Sequence, residues 1–301
     1  MNAHPPVWSG LSPEEHELHY NPRRAVPHFG QYQAERAPAN GRARSSLRSE
    51  LDLSYGEHPL RRLDIFMAES SQSSAPVHLF LHGGYWRGQD KENFAFVAEL
   101  FVRRGVTAVI ANYELAPAST LDGVVESALA ATEWTLREIG RFGGDPRQLS
   151  LSGHSAGAHL VAEILAADWA SRGLDPGAIT GAMLISGIFD PAPALLTSVN
   201  AELRLTPEIA ERHNVEARPP LVRCPVAIAV GGLEPWRWIE QSFRYSHHLR
   251  RHGHDPEVRV LPGWNHFDIL SQYLDPDSPI SRTCLRLVRA TTAAGSGSGR
   301  K

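Results

Sequence analysis

Ser155 stands between two glycines in the stretch Gly153-His-Ser-Ala-Gly157, and this Gly-x-Ser-x-Gly spacing suits a nucleophilic serine. An apolar run enters the stretch and an Ala/Leu-rich helical pattern leaves it, so we predict a strand, a sharp turn and a helix. Glycines at 153 and 157 remove the Cβ atoms that would collide with neighbouring backbone in such a turn. The pattern predicts that Ser155 attacks a carbonyl carbon. A glycine-flanked turn with a capping serine is the structural alternative.

A second glycine pair, Gly83 and Gly84, follows another apolar run. Backbone N–H groups in a glycine-rich loop at the end of a strand can stabilise the negative oxygen of a tetrahedral intermediate. We predict an oxyanion hole built from Gly83, Gly84, Tyr85 and Ala156, in which Gly83 shapes the turn and the other three donate. His82 is interpreted as an organiser of this loop rather than as a base.

His266 is the predicted general base among the 15 histidines of the chain. It lies on a loop after the last apolar run and before a C-terminal helical pattern, and a loop there can carry a histidine over the carboxyl edge of a sheet. The alternative is that His266 only packs within its loop and has no catalytic role. His154 and His159 flank the serine, and we expect them to point elsewhere.

Glu234 is the predicted acid that orients the base. It follows an apolar run and falls between the serine and the histidine in the chain, the order that this kind of turn requires. Asp190, also at the end of an apolar run, is the alternative, although a capping role explains it better. Asp268 is too close to His266 in sequence to approach its ring from behind.

The elements that must position these residues alternate along the chain. Continuous Val/Ile/Leu runs separated by helical patterns predict a mostly parallel sheet that is covered by helices on both faces. Two earlier alternating segments predict an N-terminal antiparallel hairpin, so the fold class is α/β. The hairpin strands are Leu51–Tyr55 and Arg62–Phe66, and the later runs are Val77–Leu81, Val106–Ala111, Leu149–Ser152, Ile179–Ser186, Val226–Val230 and Val258–Leu261.

We predict three parts along the chain: an N-terminal arm at residues 1–50, one α/β domain at 51–292 and a flexible tail at 293–301.

Composition limits the function classes. With 30 Lys+Arg against 33 Asp+Glu the net charge is −3, which supports neither nucleic-acid binding nor a basic membrane surface. Two cysteines without C-x-x-C spacing favour neither a disulfide scaffold nor a zinc site. We expect a soluble cytoplasmic protein with a small-molecule substrate and no metal or cofactor; a homodimer is left open.

Several stretches together fit one family. The stretch His82-Gly-Gly-Tyr-Trp86 resembles the HGGxW signature of the kynurenine formamidase (arylformamidase) family, relatives of the hormone-sensitive-lipase-type esterases. Those esterases usually carry a third glycine where this chain has Tyr85, which favours the formamidase branch. The resemblance runs from about Tyr20 to the C-terminal helical pattern. The other fitting stretches are Tyr20-Asn-Pro-Arg23 with Val26-Pro27, Leu63–Phe66, Ser186–Asp190, Glu234 ahead of Gln241-Ser242, and Asn265-His266-Phe267.

The resemblance implies an α/β-hydrolase fold and a metal-free serine hydrolase with the triad Ser155, Glu234 and His266. The implied reaction is hydrolysis of an aryl formamide, first of all N-formyl-L-kynurenine to L-kynurenine and formate. A carboxylesterase or amidase for other small acyl substrates is the alternative, and an inactive ligand-binding protein of the same fold is a further one.

Aromatic side chains beside the motifs are candidates for flanking an aromatic substrate, and packing in the core is the alternative for each. Arg87 is a candidate for binding a substrate carboxylate, with a surface role as its alternative. The aromatic candidates are Tyr85, Trp86, Trp236, Trp238 and Phe267.

Overall fold

The structure is a computed structural model that describes residues 8–69 and 74–294, with side chains as far as residue 288 in the last helix. Its eight strands are β1 (Ser49–Ser54), β2 (Arg62–Phe66), β3 (Ala75–Leu81), β4 (Thr107–Ala111), β5 (Gly144–His154), β6 (Ile179–Ile185), β7 (Val226–Gly231) and β8 (Glu257–Leu261). They form one sheet in the order β1-β2-β4-β3-β5-β6-β7-β8. Strand β2 is antiparallel to β1 and β4, and every other pair is parallel. The predicted α/β class, the hairpin and the parallel strands are confirmed.

Helices cover both faces of the sheet because its central strands are apolar on both sides. In β4, Val109 packs into the core on one face, while Ile110 packs into the core on the other. Helices α5, α6 and α9 contribute to the first core, and α3, α4 and α10 to the second. The helices are α1 (Pro13–Tyr20), α2 (Pro22–Ala25), α3 (Gly30–Ser46), α4 (Phe96–Val102), α5 (Leu121–Glu138), α6 (Ala156–Ala166), α7 (Asn200–Leu203), α8 (Pro207–Arg212), α9 (Trp236–Arg251) and α10 (Pro279–Ala294). None in the described part of the chain is long and apolar enough to cross a membrane.

The segment before β1, which we predicted as an N-terminal arm, contains the three helices α1, α2 and α3. Helix α3 runs for 17 residues in spite of Pro38 within it. Asn40 in this helix donates a hydrogen bond to the carbonyl oxygen of Asn93 (2.9 Å) and accepts one from the N–H of Phe96 (3.0 Å). These bonds fix α3 to the start of α4. The predicted tail falls largely on residues 295–301, outside the described residues.

A buried histidine joins two central strands. His78 of β3 lies 2.8 Å from the Ser150 hydroxyl and 2.6 Å from the Ser152 hydroxyl of β5, and its ring stacks on Phe101 with centroids 3.8 Å apart. Burial lowers the pKa of His78 to about 3, so the ring is neutral at pH 7.

This depressed pKa predicts a loss of stability in mild acid. In the unfolded chain His78 binds a proton below about pH 6.5, whereas the folded ring stays neutral until about pH 3, so the free energy of unfolding falls as pH drops through this window. The contribution is about 1.4 kcal/mol per pH unit. Urea unfolding at pH 7, 6 and 5 should show a shallower pH dependence for His78→Gln than for the natural chain. Equal slopes would contradict the prediction.

Candidate active site

Ser155 occupies the turn between β5 and α6 with φ 55° and ψ −119°. A non-glycine residue at positive φ is strained and persists only where the surroundings enforce it. A Cβ on Gly153 would overlap the carbonyl group of Gly157, and a Cβ on Gly157 would overlap the carbonyl oxygens of Leu81 and His82. The two glycines therefore allow the tight contact between β3, β5 and α6 that holds the turn.

The predicted oxyanion residues surround this serine. Gly83, Gly84 and Tyr85 line the same cavity as Ser155, and Ala156 is the first residue of α6, where helical N–H groups have no partner within the helix. Within the described residues, the backbone N–H groups of all four donate no hydrogen bond to another protein group. They are thus available to a substrate oxygen.

His266 and Glu234 form a short buried pair. Nδ1 of His266 lies 2.6 Å from Oε2 of Glu234, and both side chains are almost fully buried. The other carboxylate oxygen accepts hydrogen bonds from the Ser186 hydroxyl (2.5 Å) and the N–H of Gly231 (2.8 Å). The Glu234 carboxylate therefore has three hydrogen-bond donors around it, which fix its orientation towards His266.

The cavity brings Ser155 and His266 to one surface. Its empty volume, which includes solvent at the open mouth, is about 720 Å³. In the described part of the chain the Ser155 hydroxyl makes no hydrogen bond to His266. Such bonds are often long or poorly aligned until substrate binds.

His154 is a site residue that the sequence analysis did not identify. We expected it to point elsewhere, but its Nε2 lies 2.8 Å from the carbonyl oxygen of His266 and its ring lines the cavity. Burial and the neighbouring His266 ring keep its pKa well below the usual value, so it is neutral and donates to that carbonyl. His159 does lie apart, with its Nε2 against the carbonyl oxygen of His213 (2.9 Å).

The other polar candidates have structural roles. The ring of His82 stacks between Phe94 and Tyr113 and contacts Asn112 Oδ1 at 3.1 Å. Asp190 accepts a hydrogen bond from the N–H of Ala192 (3.0 Å).

Asp268 also has a structural role, because it accepts bonds from the backbone and side chain of Asn265 (2.6 and 2.8 Å). Arg87 lines the cavity but is paired with Glu202.

The aromatic candidates separate into two sets. Tyr85 and Phe267 line the cavity. Trp86 does not, because it is fully buried with its ring edge-to-face against His159, and Trp236 does not, because it is 60% exposed on α9. The closeness of an aromatic residue to a motif in the sequence did not indicate whether its ring lines the cavity. Trp238 is buried with its ring 4.8 Å from the His266 ring and donates to the carbonyl oxygen of Ser186 (2.9 Å), so it packs against His266.

The described residues contain no group of three or more His, Cys, Asp or Glu arranged to hold a metal ion. The groups at the cavity include the Ser155 hydroxyl, the His266 imidazole with its Glu234 partner, and backbone N–H groups of the Gly83–Gly84 loop.

Comparison with known proteins places this geometry in a family. Residues 78–269 match the family of the alpha/beta hydrolase fold. Kynurenine formamidase from Danio rerio is 30% identical over 292 residues, covering 93% of this chain and 98% of that protein. The Salmo salar kynurenine formamidase is 32% identical, covering 82% of this chain and 84% of its own. The chain belongs to the kynurenine formamidase group of the α/β hydrolase family.

Solved structures agree on the fold. A protein of Silicibacter sp. tm1040 superposes with a TM-score of 0.78 at 25% identity, covering 89% of this chain and 99% of that one. An esterase of Pyrobaculum calidifontis gives a TM-score of 0.70 at 18% identity, covering 89% of this chain and 93% of its own, a likeness of fold alone.

The contact at Gly157 predicts a stability effect with a matched control. Gly157→Ala places a methyl group against two backbone carbonyls that cannot move independently, so we expect a loss of about 3 kcal/mol in unfolding free energy. Gly41→Ala, in α3 with no atom within 4 Å of the new methyl group, should be neutral or stabilise by up to about 1 kcal/mol. Urea unfolding of both variants measures this. Equal stabilities would rule out the close contact.

Proposed function

We propose that this chain is a serine hydrolase that cleaves aryl formamides, with N-formyl-L-kynurenine as its substrate. The observation that carries the proposal is that His266, paired with Glu234 at 2.6 Å, lines the same cavity as a serine at positive φ. The relatives named kynurenine formamidase, which match over most of the chain, support the substrate.

The proposed reaction begins with attack of the Ser155 hydroxyl on the formyl carbon. Because Nδ1 of His266 faces Glu234, its Nε2 is the atom that takes the serine proton. The N–H groups of Gly84, Tyr85 and Ala156 stabilise the oxyanion.

Collapse of the tetrahedral intermediate breaks the C–N bond, and His266 returns the proton to the departing aniline nitrogen. Water, deprotonated by His266, then attacks the formyl-enzyme and releases formate with regeneration of the serine hydroxyl.

Glu234 has the role of holding the tautomer of His266, and this role predicts a large kinetic effect. Glu234→Gln places an amide NH₂ against one of three donors, so we expect kcat to fall by about 10⁴-fold. Asp190→Asn is the matched control, because Asp190 caps a turn and does not contact His266. Steady-state kinetics on folded variants, checked by circular dichroism, distinguishes them. A larger loss in Asp190→Asn would move the acid to the end of β6.

The substrate is tested by side-by-side kinetics. N-formyl-L-kynurenine should be hydrolysed with higher kcat/KM than a p-nitrophenyl ester, because His266 can protonate an aniline leaving group. A fluorophosphonate probe should label the natural chain and not Ser155→Ala, and this variant should lose hydrolysis of both substrates. Rapid ester cleavage without formamide cleavage would favour the esterase alternative. Absence of labelling would favour a ligand-binding protein.

A further inference from the structure

The wall of the Ser155 cavity carries three arginines, and the described residues that line it include no carboxylate. Arg87 is paired with Glu202. Arg23 and Arg36, both from the segment before β1, form no ion pair with another described residue. The cavity therefore carries uncompensated positive charge.

Arg36 is the most buried of the three, with 6% of its surface exposed. Its Nη1 donates to the carbonyl oxygen of Phe267 (2.9 Å), and its Nε is buried without a partner. Burial lowers the pKa of Arg36 to about 10, and Glu35 and Asp268 favour its charge without reaching ion-pair distance. A buried cation without a paired carboxylate is costly, and a bound anion would offset that cost.

Arg23 is connected to the same region through a series of aromatic rings in contact. Its guanidinium lies 4.8 Å above the Phe29 ring, which is 5.2 Å from the Phe267 ring. Phe267 is in turn 5.2 Å from the ring of His266. Burial and the charge of Arg87 lower the pKa of Arg23, as expected where two cations share one wall. Arg36 thus contacts Phe267, the residue after the proposed base, directly, whereas Arg23 is linked to it through the Phe29 ring.

We propose that Arg36 and Arg23 form a carboxylate-binding subsite that holds the leaving-group half of the substrate. This subsite rests on the proposed function. It specifies which part of the substrate is recognised and which residues recognise it. Guanidinium groups bind carboxylates through charge-assisted, often bidentate hydrogen bonds. Because the described lining offers two guanidinium groups without an ion pair and no acid, the site favours the carboxylate of an amino-acid side arm over its ammonium group.

Three substrates separate these two charges. They are N-formyl-L-kynurenine, its decarboxylated analogue N′-formylkynuramine, and its desamino analogue, which keeps the carboxylate. Removal of the carboxylate should lower kcat/KM by about tenfold to a hundredfold, the loss of one charge-assisted interaction. Removal of the amine should change kcat/KM by less than threefold. A decarboxylated analogue as good as the parent would overturn the subsite, as would equal losses for both analogues.

Variants assign the preference to residues. In Arg36→Gln and in Arg23→Gln the ratio of kcat/KM for the parent over the decarboxylated analogue should fall towards one. Arg24→Gln is the control, because Arg24 neighbours Arg23 on α2 and is exposed as Arg23 is, but lies outside the cavity lining, so its ratio should stay unchanged. Because Arg36 also holds the Phe267 backbone, the ratio is decisive and the absolute rate is not. Equal losses on both substrates in Arg36→Gln, or an equal shift in Arg24→Gln, would overturn the assignment.

An ester pair keeps this test independent of the formamidase activity. 4-Acetoxybenzoate carries a carboxylate on its leaving group and phenyl acetate does not. Preference for the former, lost in Arg36→Gln, would support the subsite even if no formamide were cleaved, in which case only the proposed substrate fails. Formamide cleavage without any carboxylate preference in either series would leave the proposed function standing and remove the subsite.

Discussion

A serine at φ 55° can persist only where the backbone around it leaves no easier arrangement, and here that constraint is the contact of Gly157 with the end of β3. Since a side chain at Gly157 would meet the Leu81 and His82 carbonyls, the start of α6 lies directly against the loop that follows β3. Ser155 at the start of α6 and the loop residues Gly83, Gly84 and Tyr85 consequently line one cavity. The proposed nucleophile and its proposed oxyanion hole thus depend on the same backbone contact.

The loop that carries His266 depends on a second set of contacts, which come from the segment before β1. Tyr32 accepts a hydrogen bond from the Asn265 side chain (2.9 Å), and Arg36 donates to the carbonyl of Phe267. Asn265 and Phe267 are the two neighbours of His266 in the chain, so the loop is held on both sides of the proposed base. His154 holds the carbonyl of His266 itself. The N-terminal helices are therefore part of the candidate site, although they precede the sheet in the chain.

Sequence reasoning succeeded where one residue type has one physical explanation. Paired glycines around Ser155 and the alternation of apolar runs with helical patterns predicted the turn and the parallel sheet, because few other structures need those residues in that order. It was incomplete for α3, a helix that buries Arg36 and Asn40 and contains Pro38, because apolar periodicity does not reveal a helix whose buried face is polar. Trp86 and Trp236 show the same limit, since nearness along the chain does not determine which side of a loop a ring occupies.

The distribution of charge explains why the arginines stay uncompensated beside a buried carboxylate. Glu234 accepts three hydrogen bonds, from His266, Ser186 and Gly231, and it does not belong to the cavity lining that includes Arg36. A carboxylate closer to the arginines would neutralise them. Under the proposed function, the separation of this hydrogen-bonded anion from the two arginines lets proton transfer take place at one end of the site while the other end attracts a negative group.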